Sequence, residues 1–229
     1  MADWVTISSL ATAGGTLVLA VATFSSVRSA NRSARVAERS LLAGLRPVLI
    51  PSREDDPAEL VRFGDQQVLR LRGHGGAIAI GRDAVYLALA LRNGGSGLAV
   101  IHGWRVKPRP SFSTPREEGA PDERPPLEQF HRQQIDLYIP AGDSGYWLGA
   151  LRDPAEPIYD IVRGAATGTD GVQVDLLYGD HEGGQRTIVR FVMAPWPADA
   201  DGGEGDGSPD GKRVTALRYW NVDREDPRQ

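Results

Sequence analysis

The most informative part of this chain for its architecture is residues 84–92, Ala-Val-Tyr-Leu-Ala-Leu-Ala-Leu-Arg. Its larger aliphatic residues recur at every second position, which is the period of a β-strand rather than of a helix. The residues between them are Tyr86, Ala88 and Ala90, so both faces of the strand are apolar. Such a strand is typical of the middle of a sheet that is covered on both sides. The segment therefore predicts a central strand.

Shorter strand-like runs surround this segment. Residues 93–97, Asn-Gly-Gly-Ser-Gly, predict a turn that leads into a strand at 98–107. Other strands are predicted at 67–72 and 76–81, and two hairpins at 134–139 with 146–151 and at 172–178 with 185–193. About eight short strands with turns between them predict a mainly β domain at residues 46–195. The expected architecture is an antiparallel β-sandwich of the immunoglobulin-like kind.

The connecting regions carry different signals. Residues 53–65 predict a polar loop, the proline-rich residues 108–126 a mobile excursion, and residues 157–164 a short helix. Residues 196–229 form a third region, an acidic Gly/Asp-rich tether followed by a strand-like tail at 213–222. That tail fits either an edge strand or a peptide that binds a partner.

The chain begins with an apolar stretch, and no charged residue lies between Trp4 and Val27. As a helix this stretch is roughly 36 Å long, enough to cross a bilayer core of about 30 Å. Three interpretations are open: a membrane span, a cleaved secretory signal and a buried helix. The span is favoured over the signal because signals begin with positive charge, whereas the only charge before this stretch is on Asp3.

The flank of the apolar stretch predicts its orientation. Arginines follow it at positions 28, 32, 35, 39 and 46, opposed only by Glu38. Positive flanks stay in the cytoplasm. We therefore expect a single-pass protein of the cell membrane, whose lipid bilayer it contacts, with the C-terminal domain in the cytoplasm.

The helix is predicted to continue as a stalk within residues 1–45, because nothing breaks it before Gly44 and Pro47. At 100° per residue, a basic stripe of Arg28, Arg32, Arg35 and Arg39 lies on one side. Small residues lie on the other side and form a possible helix-helix face: Ser8, Thr12, Gly15, Ala30, Ala34, Ala37 and Leu41. Small residues allow close helix approach, so this face suggests a parallel homodimer.

The composition excludes several classes of protein. The chain has no cysteine, which excludes disulfide scaffolds, zinc-thiolate sites and cysteine nucleophiles. Its net charge of -4 gives no reason to expect nucleic-acid binding. No cofactor is predicted.

Two short motifs raise the alternative of a hydrolase. Gly142-Asp143-Ser144-Gly145 resembles the nucleophile segment of chymotrypsin-like serine proteases, for which His74 or His102 with Asp122 or Asp136 would supply the order of the triad. Tyr146 departs from the glycine that this family places next. Asp180, His181 and Glu182 could ligate a metal, although neighbours in a turn point in different directions. Hairpin turns account better for both motifs, so no catalytic or metal residue is assigned.

The glycine runs also fail established patterns. Residues 73–76, Gly-His-Gly-Gly, lack the lysine of a phosphate-binding loop, and the Asp/Gly tract from Asp199 has the wrong register for a calcium loop.

Residues 91–99, Leu-Arg-Asn-Gly-Gly-Ser-Gly-Leu-Ala, carry a resemblance. They are similar to the Asn-x-Gly-x-Gly-x-Ala turn of uncharacterised bacterial proteins with one N-terminal membrane helix, a stalk that ends in Arg-Pro, and a β-sandwich. Arg46-Pro47 fits that order. The resemblance covers residues 1–105 and implies an architecture without an assigned activity.

Together these features predict a membrane-anchored interaction or accessory module that faces the cytoplasm and binds an unknown protein partner. Two alternatives stay open: a hydrolase that uses Ser144 or the Asp180, His181 and Glu182 group, and a secreted binding domain left after signal cleavage.

Overall fold

The structure is a computed structural model that describes residues 3–109, 123–168, 170–196 and 211–224. The chain divides into two compact units, Met1–Gly44 and Leu45–Gln229, which are treated separately below.

The first unit is one helix, α1 (Trp4–Gly44), of 41 residues, about 62 Å long at 1.5 Å per residue. It ends at Gly44, so the predicted continuation of the helix through the stalk is confirmed. Within the part of the chain that the structure describes, α1 alone is long and apolar enough to cross a membrane. A secretory signal would meet the same criterion, so the finding concerns length and composition only.

Threonine hydroxyls inside α1 are satisfied by the helix itself. Thr12 Oγ1 donates to the carbonyl of Ser8, and Thr16 Oγ1 to that of Thr12, each at 2.9 Å. Thr23 repeats this pattern four residues after Leu19. These side chains therefore reduce the hydropathy of the segment without carrying an unsatisfied donor into an apolar medium.

The second unit is mainly β. Its strands are β1 (Leu49–Pro51), β2 (Glu59–Arg62), β3 (Val68–Leu71), β4 (Gly75–Ile80), β5 (Val85–Asn93), β6 (Ala99–Pro108), β7 (His131–Ile139), β8 (Ser144–Leu151), β9 (Val172–Gly179), β10 (Thr187–Ala194) and β11 (Gly211–Asn221). A 3-10 turn (Leu127–Gln129) precedes β7, and helix α2 (Tyr159–Thr167) precedes β9. The predicted helix at 157–164 is thus present, displaced by two to three residues at its ends. The predicted polar loop at 53–65 is wrong in part, because it contains β2.

Strand β5 is buried on both faces, as its sequence predicts. Val85, Leu87, Leu89 and Leu91 point into the main core, which they share with residues from β6, β9 and β10. On the opposite face, Tyr86 and the small alanines of β4 and β5 pack against the β2–β3 hairpin in a second core. The alanines leave room for that hairpin to lie close to the sheet.

Nine of the described strands form one antiparallel sheet in the order β1-β5-β4-β11-β10-β9-β6-β7, with β8 paired to β5. The sheet curls until β7 and β8 face each other, and the Gln133 side chain of β7 donates to the Leu148 carbonyl of β8 at 3.3 Å. A mainly β, antiparallel architecture behind a long apolar helix is therefore confirmed. The immunoglobulin-like sandwich is not confirmed, since these strands share one continuous sheet.

The predicted hairpin of 134–139 with 146–151 is wrong. Strand β7 pairs with β6, and β8 pairs with β5 over its whole length from Ser144 to Leu151. The two strands follow each other in sequence but belong to opposite ends of the curled sheet. The hairpin of β9 and β10 is confirmed, with Val174 opposite Phe191.

The C-terminal tail is neither an edge strand nor a separate peptide. Strand β11 pairs with β10 from Arg213 to Asn221 and with β4 from Gly211 to Arg213, so it lies inside the sheet. Trp220 is buried. The tether before it, residues 197–210, and most of the proline-rich excursion, residues 110–122, lie outside the described residues.

The turn after β5 holds the first residues of the domain. The buried Asn93 amide donates to the carbonyls of Gly97 at 2.6 Å and Ile139 at 2.9 Å. Its oxygen accepts from the backbone N–H groups of Val48 at 3.1 Å and Gly95 at 3.0 Å. All four hydrogen-bonding positions of the amide are thus used inside the protein. This geometry gives the Asn-x-Gly-x-Gly pattern a physical role, which is to fasten the segment after Leu45.

Candidate functional site

The predicted residues of α1 lie in one regular helix. Arg28, Arg32, Arg35 and Arg39 follow each other at spacings of four, three and four residues and line one shallow groove along the helix. Ser8, Thr12 and Thr16 line another. The geometry brings each set to one side, whereas their roles in membrane orientation and helix pairing stay predictions.

The serine motif does not assemble a catalytic triad among the described residues. Ser144 Oγ donates to Asp56 Oδ2 at 2.8 Å. His74 Nδ1 lies 3.1 Å from the carbonyl of Ser52, and Asp136 accepts the Tyr138 hydroxyl at 3.1 Å. Ser144 and His74 are thus bonded to residues that follow β1, and Asp136 to a residue of its own strand. Asp122 lies outside the described residues.

His102 occupies a β-bulge instead of a catalytic position. The β6–β9 register shifts between Ile101 and Gly103, which leaves His102 as the extra residue. Its Nε2 is buried and has no hydrogen-bond partner in the part of the chain that is described. Burial lowers the pKa of His102, and the nearby Arg186 lowers this pKa further, so the ring favours the neutral form.

Asp180 organises the β9–β10 turn. Its Oδ1 accepts the backbone N–H groups of Glu182 at 3.1 Å and Gly184 at 2.7 Å. His181 and Glu182 extend into solvent, with side chains 63% and 77% exposed. Over the described ranges, no group of three or more metal-ligating side chains is present. The turn interpretation therefore accounts for this motif.

The strongest candidate site is the seam groove, the space between β7 and β8 where the curled sheet does not close. Its volume is about 530 Å³. One wall is formed by residues 131–135 and the other by residues 148–150. The turn at Phe63, Gly64 and Asp65 forms one rim, and Arg152, Asp153 and Glu156 form the other.

The groove opens because β7 leaves the ladder of β6. Ile101 faces Leu137 and Gly103 faces Arg132, so residues 133–136 of β7 stand against the single residue His102. Because four residues of β7 lie opposite one residue of β6, the two strands lose their register over this part. Gln133 is thereby directed towards β8, where its Oε1 also accepts Trp147 Nε1–H at 3.3 Å.

Aromatic side chains form the inner wall of the groove and pack tightly against β8. His131 stacks on Trp104 with ring centroids 4.5 Å apart, and Trp104 meets Trp147 edge-on at 5.6 Å. A side chain at Gly149 would collide with the Trp147 ring. Glycine is therefore the residue that lets both indoles lie against β8.

Ionised groups line both rims. Asp65 Oδ2 accepts the Tyr86 hydroxyl and a 2.8 Å hydrogen bond from Arg152 Nη2. These bonds, the Tyr86 bond first, hold the pKa of Asp65 below its ordinary value. Burial, together with the bond to Asp65, raises the pKa of the Tyr86 hydroxyl. His131 Nε2 of the β7 wall lies 3.5 Å from Glu156 Oε2 of the rim that also carries Arg152.

A second charged cluster lies on the outer face of the sheet. Arg105 of β6 and Arg190 of β10 stand opposite Asp175 of β9 in adjacent ladders. Asp175 accepts from the side chains of both arginines, including 2.6 Å from Arg190 Nε. All three residues are at least 94% buried. Buried charges need such partners, so this cluster is structural.

Sequence reasoning missed the seam groove. Its walls come from strands that were predicted to pair with each other, and Gln133 and Gly149 carry no motif. The feature that could have indicated the groove is the polar run Arg132-Gln133-Gln134, which leads into the predicted strand at 134–139.

Comparisons of the chain with protein-family models, with curated proteins and with solved structures find no match.

Proposed function

We propose that this chain is a membrane-anchored interaction module whose β domain faces the cytoplasm and binds a protein partner in the seam groove. The observation that carries the proposal is the groove itself, where two strand edges face each other across a space of about 530 Å³. Unsatisfied strand edges are natural docking positions for polypeptide. As part of this proposal, we describe the domain as sandwich-like, because two parts of the curled sheet pack on one core.

The anchor half of the proposal depends on α1. Its apolar length is sufficient for one span. The arginines at 28, 32, 35 and 39 follow the span directly and favour retention of that end in the cytoplasm.

The cysteine-free chain allows a direct test of sidedness, because each single-cysteine variant reports one position. We expect Asp3→Cys to react with a membrane-impermeant maleimide on intact cells. Thr215→Cys, on the exposed part of β11, should react only after permeabilisation. Labelling of Thr215→Cys on intact cells would contradict the proposed cytoplasmic orientation of the β domain. Release of the chain from membranes by alkaline carbonate would contradict the proposed membrane anchor.

The binding half is tested with a photo-crosslinking amino acid in living cells. Placed at Gln134, on the groove wall, the crosslinker should capture a discrete protein. Placed at Thr215, which is exposed but does not line the groove, it should not. Equal capture at both positions, or none at Gln134, would contradict the binding site.

The hydrolase alternative receives no support from the Ser144 and Asp180 geometry, because both side chains are engaged in turn contacts. The hydrolase alternative would be supported if the protein hydrolysed ester substrates and the Ser144→Ala variant did not.

A further inference from the structure

We infer that the ligand of the seam groove is a basic, extended polypeptide segment that adds to the exposed edge of β8 as a strand. The inference rests on the proposed function and specifies the chemistry of the partner. Three features of the groove support it, namely the direction of the β8 backbone groups, the charge of the rims and the position of Gln133.

The first feature is the direction of the β8 backbone. The carbonyl of Leu148 points into the groove, since it accepts the Gln133 side chain. Along an antiparallel strand, alternate residues turn their N–H and C=O groups to the same side. Tyr146 and Ala150 therefore present their backbone groups in the same direction, whereas the residues between them bond to β5. An extended segment offers the complementary row of donors and acceptors.

The opposite wall contains a part of β7 that an added segment can displace. Residues 133–136 of β7 are out of register with β6, so this part of the wall is not held in a ladder. Neighbouring strands need a spacing of about 4.8 Å, and the Gln133 side chain, not a backbone ladder, connects β7 to β8 here. An added strand between them would need about twice that spacing, whereas Cα atoms of β7 and β8 come within 8 Å of each other, so the added strand must displace residues 133–136, which no ladder holds.

The second feature is charge. Arg152 and Asp65 pair at 2.8 Å and neutralise each other. Asp153 and Glu156 remain on the same rim, against Arg132 on β7 and His131, which is positive only when protonated. The soluble unit is also net acidic, because most arginines of residues 1–52 belong to α1 and the chain as a whole carries -4. Local and global potentials both favour a cationic ligand.

The third feature is Gln133, which occupies the position of the ligand. It binds both Leu148 and Trp147, at 3.3 Å each. A backbone N–H of an added strand would replace the Gln133 amide at the Leu148 carbonyl. Gln133 therefore acts as an internal competitor, and its removal should strengthen binding.

The test uses the full chain in nanodiscs of uncharged phosphatidylcholine at about 0.1 M salt. The probe is a fluorescein-labelled short peptide that alternates lysine with valine or threonine, followed by fluorescence anisotropy. One companion peptide has glutamate in place of lysine. The other keeps every lysine but has N-methylated backbone amides, which cannot donate in a strand ladder. We expect the lysine probe to bind at least about ten times more tightly than either companion.

Variants locate the binding. Glu156→Gln and Asp153→Asn should each weaken the lysine probe by about threefold, as expected for an exposed ion pair. Glu128→Gln removes an exposed acid from the 3-10 turn, outside the groove lining, and should leave the affinity unchanged. Gln133→Ala should tighten binding several-fold, and its melting temperature shows whether the fold is intact.

Several results would overturn the inference. Equal binding of the N-methylated probe would mean that only charge attracts the peptide. Preference for the glutamate probe would reverse the charge of the partner, and an unchanged affinity in Glu156→Gln would place the peptide elsewhere. If these outcomes occur while Gln134 still captures a protein in cells, the proposed function survives and the basic-strand ligand does not.

Discussion

Gly97 and Leu45 are in direct contact, because the carbonyl oxygen of Leu45 lies where the first side-chain carbon of residue 97 would have to be. Gly95 stands in the same relation to the carbonyl of Arg46. The first residues of the β domain thus run across a turn that has no side chains in their path. Asn93 binds this segment from the other side of the turn.

This contact predicts a strong effect of a single methyl group. Gly97→Ala should destabilise the domain by about 2 to 4 kcal/mol, because the obstructing atoms are backbone and cannot rotate away. Urea denaturation of the detergent-solubilised chain measures the change. Gly64→Ala is the matched control, since nothing lies within 4 Å of that position. Equal stability of the two variants would show that the 45–48 segment moves freely.

Removal of the Asn93 amide should also lower the stability of the domain. Asn93→Ala removes four hydrogen bonds from a fully buried site and leaves carbonyls and N–H groups without partners. Each lost bond costs about 0.5 to 1.5 kcal/mol, so the four together should cost about 2 to 6 kcal/mol. The exposed Gln134→Ala serves as the control for urea denaturation. A loss below about 1 kcal/mol would mean that water replaces the amide.

The buried and exposed ion pairs should respond differently to neutralisation. Asp175→Asn leaves Arg105 and Arg190 buried without their carboxylate, which should cost about 3 to 5 kcal/mol. Asp223→Asn breaks the solvent-exposed pair with Arg186 and should cost less than about 1 kcal/mol. Thermal unfolding of the two variants in parallel checks the contrast. Comparable losses would contradict the structural role assigned to the Arg105, Asp175 and Arg190 cluster.

The hydrogen bonds of Asp65 on the groove rim predict that the stability of the β domain depends on pH. The Tyr86 and Arg152 hydrogen bonds lower the pKa of Asp65 below the ordinary value of 3.8. Ionised Asp65 therefore contributes stability above about pH 4, and this contribution is lost as the pH falls through the lower pKa of the folded state. Tyr86→Phe should raise the pKa of Asp65 towards its ordinary value, measured by carbon NMR of the labelled carboxylate. An unchanged pKa would show that the hydroxyl does not contact Asp65 in solution.

The small-residue side of α1 predicts helix pairing. If two copies meet along this side, Thr16→Cys and Ala34→Cys should form disulfide-linked dimers in membranes under mild oxidation. Leu17→Cys, which projects away from this side, is the control. Equal cross-linking at Leu17→Cys and Thr16→Cys would exclude the predicted face.

The sequence alone predicts those elements whose conformation depends on residues close together in the chain. The absence of charge up to Val27 and the Gly44 and Pro47 stop define α1 with no reference to other segments. The alternation in residues 84–92 predicts burial on both faces of β5, and the glycine-rich turn at 179–184 predicts the β9–β10 hairpin. In each case, neighbours in sequence supply the conformational preference.

Strand pairing and the candidate site were decided only by tertiary structure. Alternation shows which face of a strand is buried, but it does not show which strand lies beside it. The separation of β7 from β8, the insertion of β11 between β10 and β4, and the seam groove all depend on packing between distant segments. In the Asp175 cluster, the local β9–β10 hairpin brings Arg190 to Asp175, whereas Arg105 comes from the distant strand β6. The distant pairings form because they bury large apolar side chains, such as those of β5 against β6, β9 and β10, and the preferences of neighbouring residues do not encode that burial.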